Sequence, residues 1–349
     1  MDKPIRFIAA PQNRGELALM SCTSGRPLAE RIIKNLNKII NKDHPETELA
    51  LVKTDEITFA NGEIKTIIKD NIRGADLYIV QSVDDPLSNK SINDNLMAVL
   101  TAINAAYQSD ADSITVIMPQ YPYSRQERKK AREGLTAKQV ASFLEISGAD
   151  RVITLDIHSE AIQGFFNTAK LEDLHASNTL IRYFKKHFPT EDLVVAAADV
   201  GGAEKARYYS NRLHTDMVVV DKARDYSRTS IIESMRLVGN VKNKNVLIPD
   251  DMISTGGTMV NAAKLLRHHG ANQIYVAASL PFFNEPALEL LQTAYDKGEI
   301  TSVIGTDAVY WGDEFVKNTP WYHEVSISSL FAQVIYNINT KQSVSQLLK

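Results

Sequence analysis

Residues Asn245 to Ala271 read NVLIPDDMISTGGTMVNAAKLLRHHGA. An apolar run ends in Asp250 and Asp251, a turn follows through Ser254, Thr255, Gly256, Gly257 and Thr258, and apolar residues then recur at helical spacing. Strand, loop and helix in that order make the repeating unit of an α/β fold, whose ligands bind beyond the carboxyl ends of the strands. Backbone N–H groups of Thr255 to Thr258 would converge at the first helical turn and form an anion site. The helix terminus alone is worth only about 0.3–2 kcal/mol, so the hydroxyls of Ser254, Thr255 and Thr258 are needed as further donors to phosphate oxygens. Asp250 and Asp251 would repel a bare phosphate. They fit a ligand that carries hydroxyls beside its phosphate, such as the vicinal diol of a sugar phosphate, because an ionised carboxylate only accepts hydrogen bonds. The stretch lacks the lysine of a nucleotide-triphosphate P-loop. A plain strand–helix turn capped by Thr255 is the alternative, and it leaves two adjacent acids without a partner. Pro249 removes a ladder donor, which a strand tolerates where it leaves its sheet.

Outward from this stretch the same rhythm recurs. Short apolar runs at residues 5–10, 76–82, 113–119, 151–157, 192–199, 216–221, 273–279 and 302–307 are separated by helical patterns such as LAERIIKNLNKII and INDNLMAVLTAINAAYQ. Near-continuous apolar strands imply parallel sheets covered by helices on both faces. The run SITVIMP leads through a loop to a helix, to Gly148-Ala149-Asp150 and to the next strand. NVLIPDD leads likewise to Gly270-Ala271-Asn272, with glycine in each case supplying a left-handed helix end. This echo points to two related α/β domains, residues 1–171 and 172–349. Their loops differ: the second carries the acids and the Gly-rich turn, and the first carries PQYPYSRQERKKAREGLT, rich in arginine and lysine. Two similar domains with different loops imply two ligands.

At 349 residues the chain exceeds one small core. A net charge of −3 gives no global field to recruit nucleic acid or an anionic membrane. No apolar run reaches the roughly 18 residues of a spanning helix, and the first residues lack the pattern of a signal peptide. The single cysteine, Cys22, suits a reducing compartment. The expected location is the cytoplasm, with neither nucleic acid nor membrane as partner.

VLIPDDMISTGGTM resembles the phosphoribosyl-diphosphate loop of type I phosphoribosyltransferases. FANGE (Phe59 to Glu63), SRQERK (Ser124 to Lys129), TLDIHSEAIQGFF, ADVGGAEKAR, VDKAR and QSVSQLL resemble, in order, the motifs of the ribose-phosphate diphosphokinases. The resemblance covers nearly the whole chain. It implies an α/β fold of two tandem phosphoribosyltransferase-like domains, each a mostly parallel sheet flanked by helices. The implied reaction moves a diphosphoryl group from ATP to the anomeric hydroxyl of ribose 5-phosphate, yielding AMP and 5-phosphoribosyl 1-diphosphate for nucleotide biosynthesis.

By the same resemblance Phe59, Asn61 and Glu63 read adenine, while Arg125, Gln126 and Glu127 contact ATP, Arg125 on its phosphates. His158 and Asp199 hold Mg²⁺, and Lys222 and Arg224 close over the reacting phosphates from a loop after a strand. Asp250, Asp251, Ser254, Thr255, Gly256, Gly257 and Thr258 bind ribose 5-phosphate. A homo-oligomer, a hexamer built from dimers, is implied as well. Asn61 and Glu127 stand where the family more often has aspartate, and Ala223 where many members have arginine. Each motif has a plainer reading: a hairpin with Asn-Gly at its turn, a solvated basic helix start, a hydrogen-bonded structural histidine, a helix N-cap at Asp199, a charged surface turn at 222–224. A phosphoribosyltransferase that consumes the product and a catalytically weak regulatory paralogue are the competing functions. The length and the basic first half argue against the former, and Ala223 keeps the latter open.

Overall fold

Val194 to Ala197, Val246 to Ile248 and Ile274 to Ala278 are buried without interruption, as strands covered by helices on both faces must be. A computed structural model describes residues 14–42, 45–225, 232–345 and 347, the side chains of 222–225 and 232–235 excepted. The apolar run at 5–10 lies outside the described residues. In chain order the first elements are β1 (Glu16–Ser21), α1 (Arg26–Ile40), β2 (Thr54–Thr58), β3 (Ile64–Ile68), β4 (Ala75–Val80) and α2 (Ile92–Gln108). Next come β5 (Ser113–Ile117), α3 (Thr136–Ser147), β6 (Arg151–Leu155), a 3-10 turn (Glu160–Phe165) and β7 (Lys170–Leu174). The chain continues with α4 (Ser177–His187), β8 (Leu193–Ala197), α5 (Ala203–Leu213), β9 (Asp216–Asp225), β10 (Ile232–Val238) and β11 (Asn245–Ile253). It ends with α6 (Gly257–His268), β12 (Ile274–Pro281), α7 (Ala287–Asp296), β13 (Ser302–Thr306), α8 (Asp313–Asn318), β14 (Tyr322–Val325) and α9 (Ser328–Asn339).

Two sheets result. One has the order β1-β4-β5-β6-β7, all parallel. The other has the order β10-β9-β8-β11-β12-β13-β14, parallel except for the β9–β10 pair. Both follow one plan: a first strand and helix, an antiparallel β pair (β2–β3 or β9–β10), then a strand returning beside the first. By position β11 therefore matches β4, whereas the sequence echo sets it against β5. The echo compares successive units, because any helix of such a fold can end on a left-handed glycine, as Gly148 (φ 113°) and Gly270 (φ 86°) both do.

In the second sheet the chain leaves β8 toward β9 on one side and toward β11 on the other. Such a reversal opens a crevice at the carboxyl ends of the strands. The β8–β11 ladder runs only to Leu247↔Val195, while β11 and β12 stay paired to Ile253↔Pro281. Pro249 thus falls where β11 has a sheet neighbour on one side only, which is where a strand can lack an N–H.

The chain divides into two compact units. One gathers residues up to His175 with Asp307–Tyr310 and everything from Ser326 on; the other holds Ala176–Thr306 and Trp311–Val325. A single cut near Leu171 divides the sequence but not the packing, because α9 lies on α1 in the first unit. Its last residue, Asn339, donates to the buried Asp76 carboxylate (3.0 Å) and to the Gly15 carbonyl (3.2 Å). Buried Asp307 accepts from Arg31 and from the Ile327 N–H, both at 2.8 Å. Among the described residues no helix is long and apolar enough to cross a membrane.

Candidate active site

The second unit builds its site at the crevice between β8 and β11. After Pro249 apolar burial is interrupted by the half-buried Asp250 and Asp251, and it resumes at Met252 and Ile253 while the strand still pairs with β12. The Asp251 N–H donates to Asp250 Oδ1 at 2.8 Å. Burial first, then a side-chain hydrogen bond with Asp251 and its charge, push the Asp250 carboxyl up to about 8, against the pull of the Asp251 N–H and of Lys205. Two adjacent carboxyl groups at one strand end offer acceptors to partners that donate, such as sugar hydroxyls. The loop then turns at Gly256 (φ 76°), a conformation that favours glycine, and α6 begins at Gly257 with no side-chain cap. A helix start without a side-chain cap is the arrangement an anion completes. Thr255 is exposed and does not cap the helix; Ser254 donates to Asn284 Oδ1 at 3.0 Å. The acids and the phosphate-sized loop from Asp250 to Thr258 are therefore contiguous at one strand end.

The loop after β8 carries Asp199, whose Oδ1 accepts the Gly202 N–H at 3.0 Å just before α5. That bond shapes the turn and leaves a second carboxylate oxygen. Lys222 and Arg224 lie in β9, opposite Met235 and Glu233 of β10, since the strand runs on through both positions. Their side chains are outside the described residues.

In the first unit, the segment between β5 and α3 has no regular structure and surrounds a cavity of about 390 Å³. Arg125, Gln126, Glu127, Arg128, Lys130 and His158 line it. The segment is anchored from both ends. Tyr121 donates its hydroxyl to the Ala137 carbonyl (2.9 Å), and buried Gln120 accepts the Val83 N–H (3.1 Å) and donates to the Ala308 carbonyl. Glu127 pairs with Arg128 at 3.5 Å. His158 follows β6 on a turn set by Asp156 (φ 44°), which meets His175 Nδ1 at 3.1 Å, while Asp173 accepts the Ile157 N–H at 3.0 Å. Arg125, Gln126, Glu127 and His158, read from separate motifs, thus face one cavity.

Phe59, Asn61 and Glu63 occupy the tip of the β2–β3 hairpin and do not line that cavity. Phe59 is exposed, and Asn61 Oδ1 accepts the Glu63 N–H at 3.2 Å. The turn role of Asn-Gly and an exposed ring coexist there. The sequence reading missed Gln120, the Asp156–His175–Asp173 cluster, and Glu56 with Lys90 at the base of the hairpin. No local pattern marks any of them, because each acts on residues distant in the chain.

Among the described residues no group of three or more His, Cys, Asp or Glu side chains is placed to hold a metal ion. Asp199 belongs to the second unit and His158 to the first, and imidazole is a poor direct ligand for a hard ion. This donor set fits Mg²⁺ that arrives on substrate phosphates and keeps its water, not a closed resident site.

The family model for the N-terminal domain of ribose phosphate pyrophosphokinase matches residues 17–148, and that for the phosphoribosyl transferase domain matches residues 168–314. The chain is 37% identical over 348 residues to a ribose-phosphate pyrophosphokinase of Chlorobaculum tepidum, covering 99% of this chain and 96% of that protein. It is 36% identical over 336 residues to ribose-phosphate pyrophosphokinase 1 of Listeria monocytogenes, covering 96% and 98%. A crystal structure of phosphoribosylpyrophosphate synthetase from Mycobacterium smegmatis matches with a TM-score of 0.79 at 31% identity, covering 92% of this chain and 98% of that one. With both sequence halves matched in order and relatives aligned over almost their full length, the chain belongs to the ribose-phosphate pyrophosphokinase family of enzymes.

Proposed function

We propose that the chain makes 5-phosphoribosyl 1-diphosphate from ATP and ribose 5-phosphate for nucleotide biosynthesis, in the cytoplasm. The observation that carries the sugar-phosphate half is the Asp250–Asp251 pair set directly before the uncapped start of α6. The 5-phosphate sits on the loop from Ser254 to Thr258, and the acids accept from the ring hydroxyls. The anomeric oxygen attacks the β-phosphorus of ATP, the bond between the α- and β-phosphoryl groups breaks, AMP leaves, and the hydroxyl proton is lost to solvent. Asp199 and His158 would hold Mg²⁺ brought in with the substrate phosphates, and the ion would supply neutralisation of charge. Arg125, with Arg128 and Lys130 beside it, holds the nucleotide phosphates, Gln126 and Glu127 make polar contacts to ATP, and Lys222 and Arg224 clamp the transferring group. Positioning and charge are most of what phosphoryl transfer needs.

Adenine is read by Phe59, Asn61 and Glu63. A homo-oligomer gives a hairpin tip that does not line its own unit's cavity a route to the cavity of another copy, and sedimentation measures that assembly. The reaction is tested with purified full-length protein, ATP, ribose 5-phosphate and Mg²⁺. Stoichiometric AMP and phosphoribosyl diphosphate are expected. Binding of both substrates without turnover would replace the enzyme reading with that of a regulatory partner.

A further inference from the structure

The β2–β3 hairpin joins neither larger sheet. A two-stranded ribbon is marginal by itself, so its place depends on ties to the rest of its unit. β3 lies against α2, where Thr66 Oγ1 and Thr101 Oγ1 are 3.2 Å apart. β2 is tied by Glu56, whose side chain is only 7% exposed. Glu56 Oε2 accepts the Thr23 N–H at 3.0 Å, and Oε1 accepts the Lys90 ammonium. Thr23 belongs to the turn after β1 and Lys90 to the loop after β4, so one carboxylate spans two strand ends. Its neighbour Asp55 meets Lys69 at 2.6 Å, and both of those side chains are about half exposed. Cys22 is buried next to Glu56: burial first, and then the Glu56 charge, raise its thiol, and Lys90 opposes them.

The shared plan of the two sheets gives this contact its meaning. The turn after β1 and the loop after β4 are the first unit's counterparts of the loops after β8 and β11. In the second unit those loops carry Asp199 and the sugar-phosphate turn. In the first, a backbone N–H of the equivalent turn is taken by the chain's own carboxylate. We propose that Glu56, held by Lys90 and the Thr23 N–H, is the positioning residue of the nucleotide-reading hairpin, bracing it against the two strand ends whose counterparts in the second unit carry the candidate site. The assignment rests on the reading of Phe59, Asn61 and Glu63 as adenine contacts. Phe59 lies three positions beyond Glu56, about 10 Å of strand. The ladder between them is in register, Glu56↔Thr66 to Thr58↔Ile64. A change of tilt at Glu56 therefore displaces the tip.

Full-length Glu56→Ala, Glu56→Gln and Lys90→Ala test this by hydrogen exchange in the absence of ligands and by steady-state kinetics. Amides of residues 54–68 should exchange faster in Glu56→Ala and Lys90→Ala, with those of β5 and β6 unchanged. KM for ATP should rise about tenfold, the worth of one charge-assisted hydrogen bond, and the preference for ATP over GTP should fall. KM for ribose 5-phosphate should hold. Glu56→Gln keeps an acceptor for Thr23 and should fall between. Unchanged exchange at 54–68 in the folded variants would overturn the proposal, as would equal losses for both substrates. Faster exchange with unchanged ATP kinetics would keep the brace and remove adenine reading from the hairpin. If Glu56→Ala does not fold, Lys90→Ala carries the same comparison.

Discussion

Asp250 shows how a residue proposed for binding burdens the fold that carries it. Its carboxyl ordinarily loses its proton near 3.8, but burial and Asp251 hold it until about 8 in the folded chain. Between those values the folded state binds the extra proton, so this group's contribution to stability falls as pH rises through the window. Asp250→Asn should therefore raise the melting temperature of the ligand-free protein at neutral pH and weaken ribose 5-phosphate far more than ATP. Thermal melts and the two KM values check both halves. Glu145 runs the other way. Burial raises its carboxyl, but the N–H groups of Thr168 and Ala169 and the side chain and N–H of Asn167 outweigh it and hold the carboxyl down at about 2. Its folded value lies below the ordinary 4.5, so its contribution is complete above 4.5 and lost as pH falls toward about 2. Melting temperature should consequently fall less steeply with acid in Glu145→Gln than in the parent.

At the scale of the element, the turn into α6 depends on one backbone conformation. Gly256 has φ 76°, where a side chain costs roughly 1–2 kcal/mol. Gly256→Ala should lower stability by about that amount and raise KM for ribose 5-phosphate, leaving KM for ATP near its parent value. Equal effects on both substrates would count against separate loops for the two ligands. This turn was legible in the sequence because acids, glycines and hydroxyls are contiguous in it, and α2 and α6 were legible from their spacing. β1, β7 and β14 were not. ELALMS has an apolar run of only four residues, KLEDL and YHEV are short and interrupted by charge, and their partners in the sheets make them strands. β9 was legible only in part, since pairing with β10 carries it through Lys222 and Arg224. Pro249 needed the register of β8 to be understood. Glu56 and Lys90 lie 34 residues apart, and no spacing announces such a pair.

The whole molecule uses one sheet plan twice and gives each copy different loops, a basic cavity in the first unit and paired acids with a Gly-rich turn in the second. The allegiance of the chain's end follows from contacts no local pattern shows. Asn339 bonds the Asp76 carboxylate across 263 residues of sequence, and Tyr78 donates to the same carboxylate at 2.9 Å. Asp76 is fully buried in the second residue of β4, with Arg14 at 3.7 Å on its other oxygen. Removing one donor from a buried charge costs about 1–3 kcal/mol or more. Asn339→Ala should therefore destabilise the first sheet selectively, although the residue lies near the opposite end of the chain. In hydrogen exchange, amides of β1 and β4 should lose protection while those of β11 and β12 keep theirs. Truncation before Ser328 removes α9 from α1 as well and should deepen the same selective loss. Protection lost equally from both sheets would show that the C-terminal helix supports the molecule as a whole, not the unit it packs in.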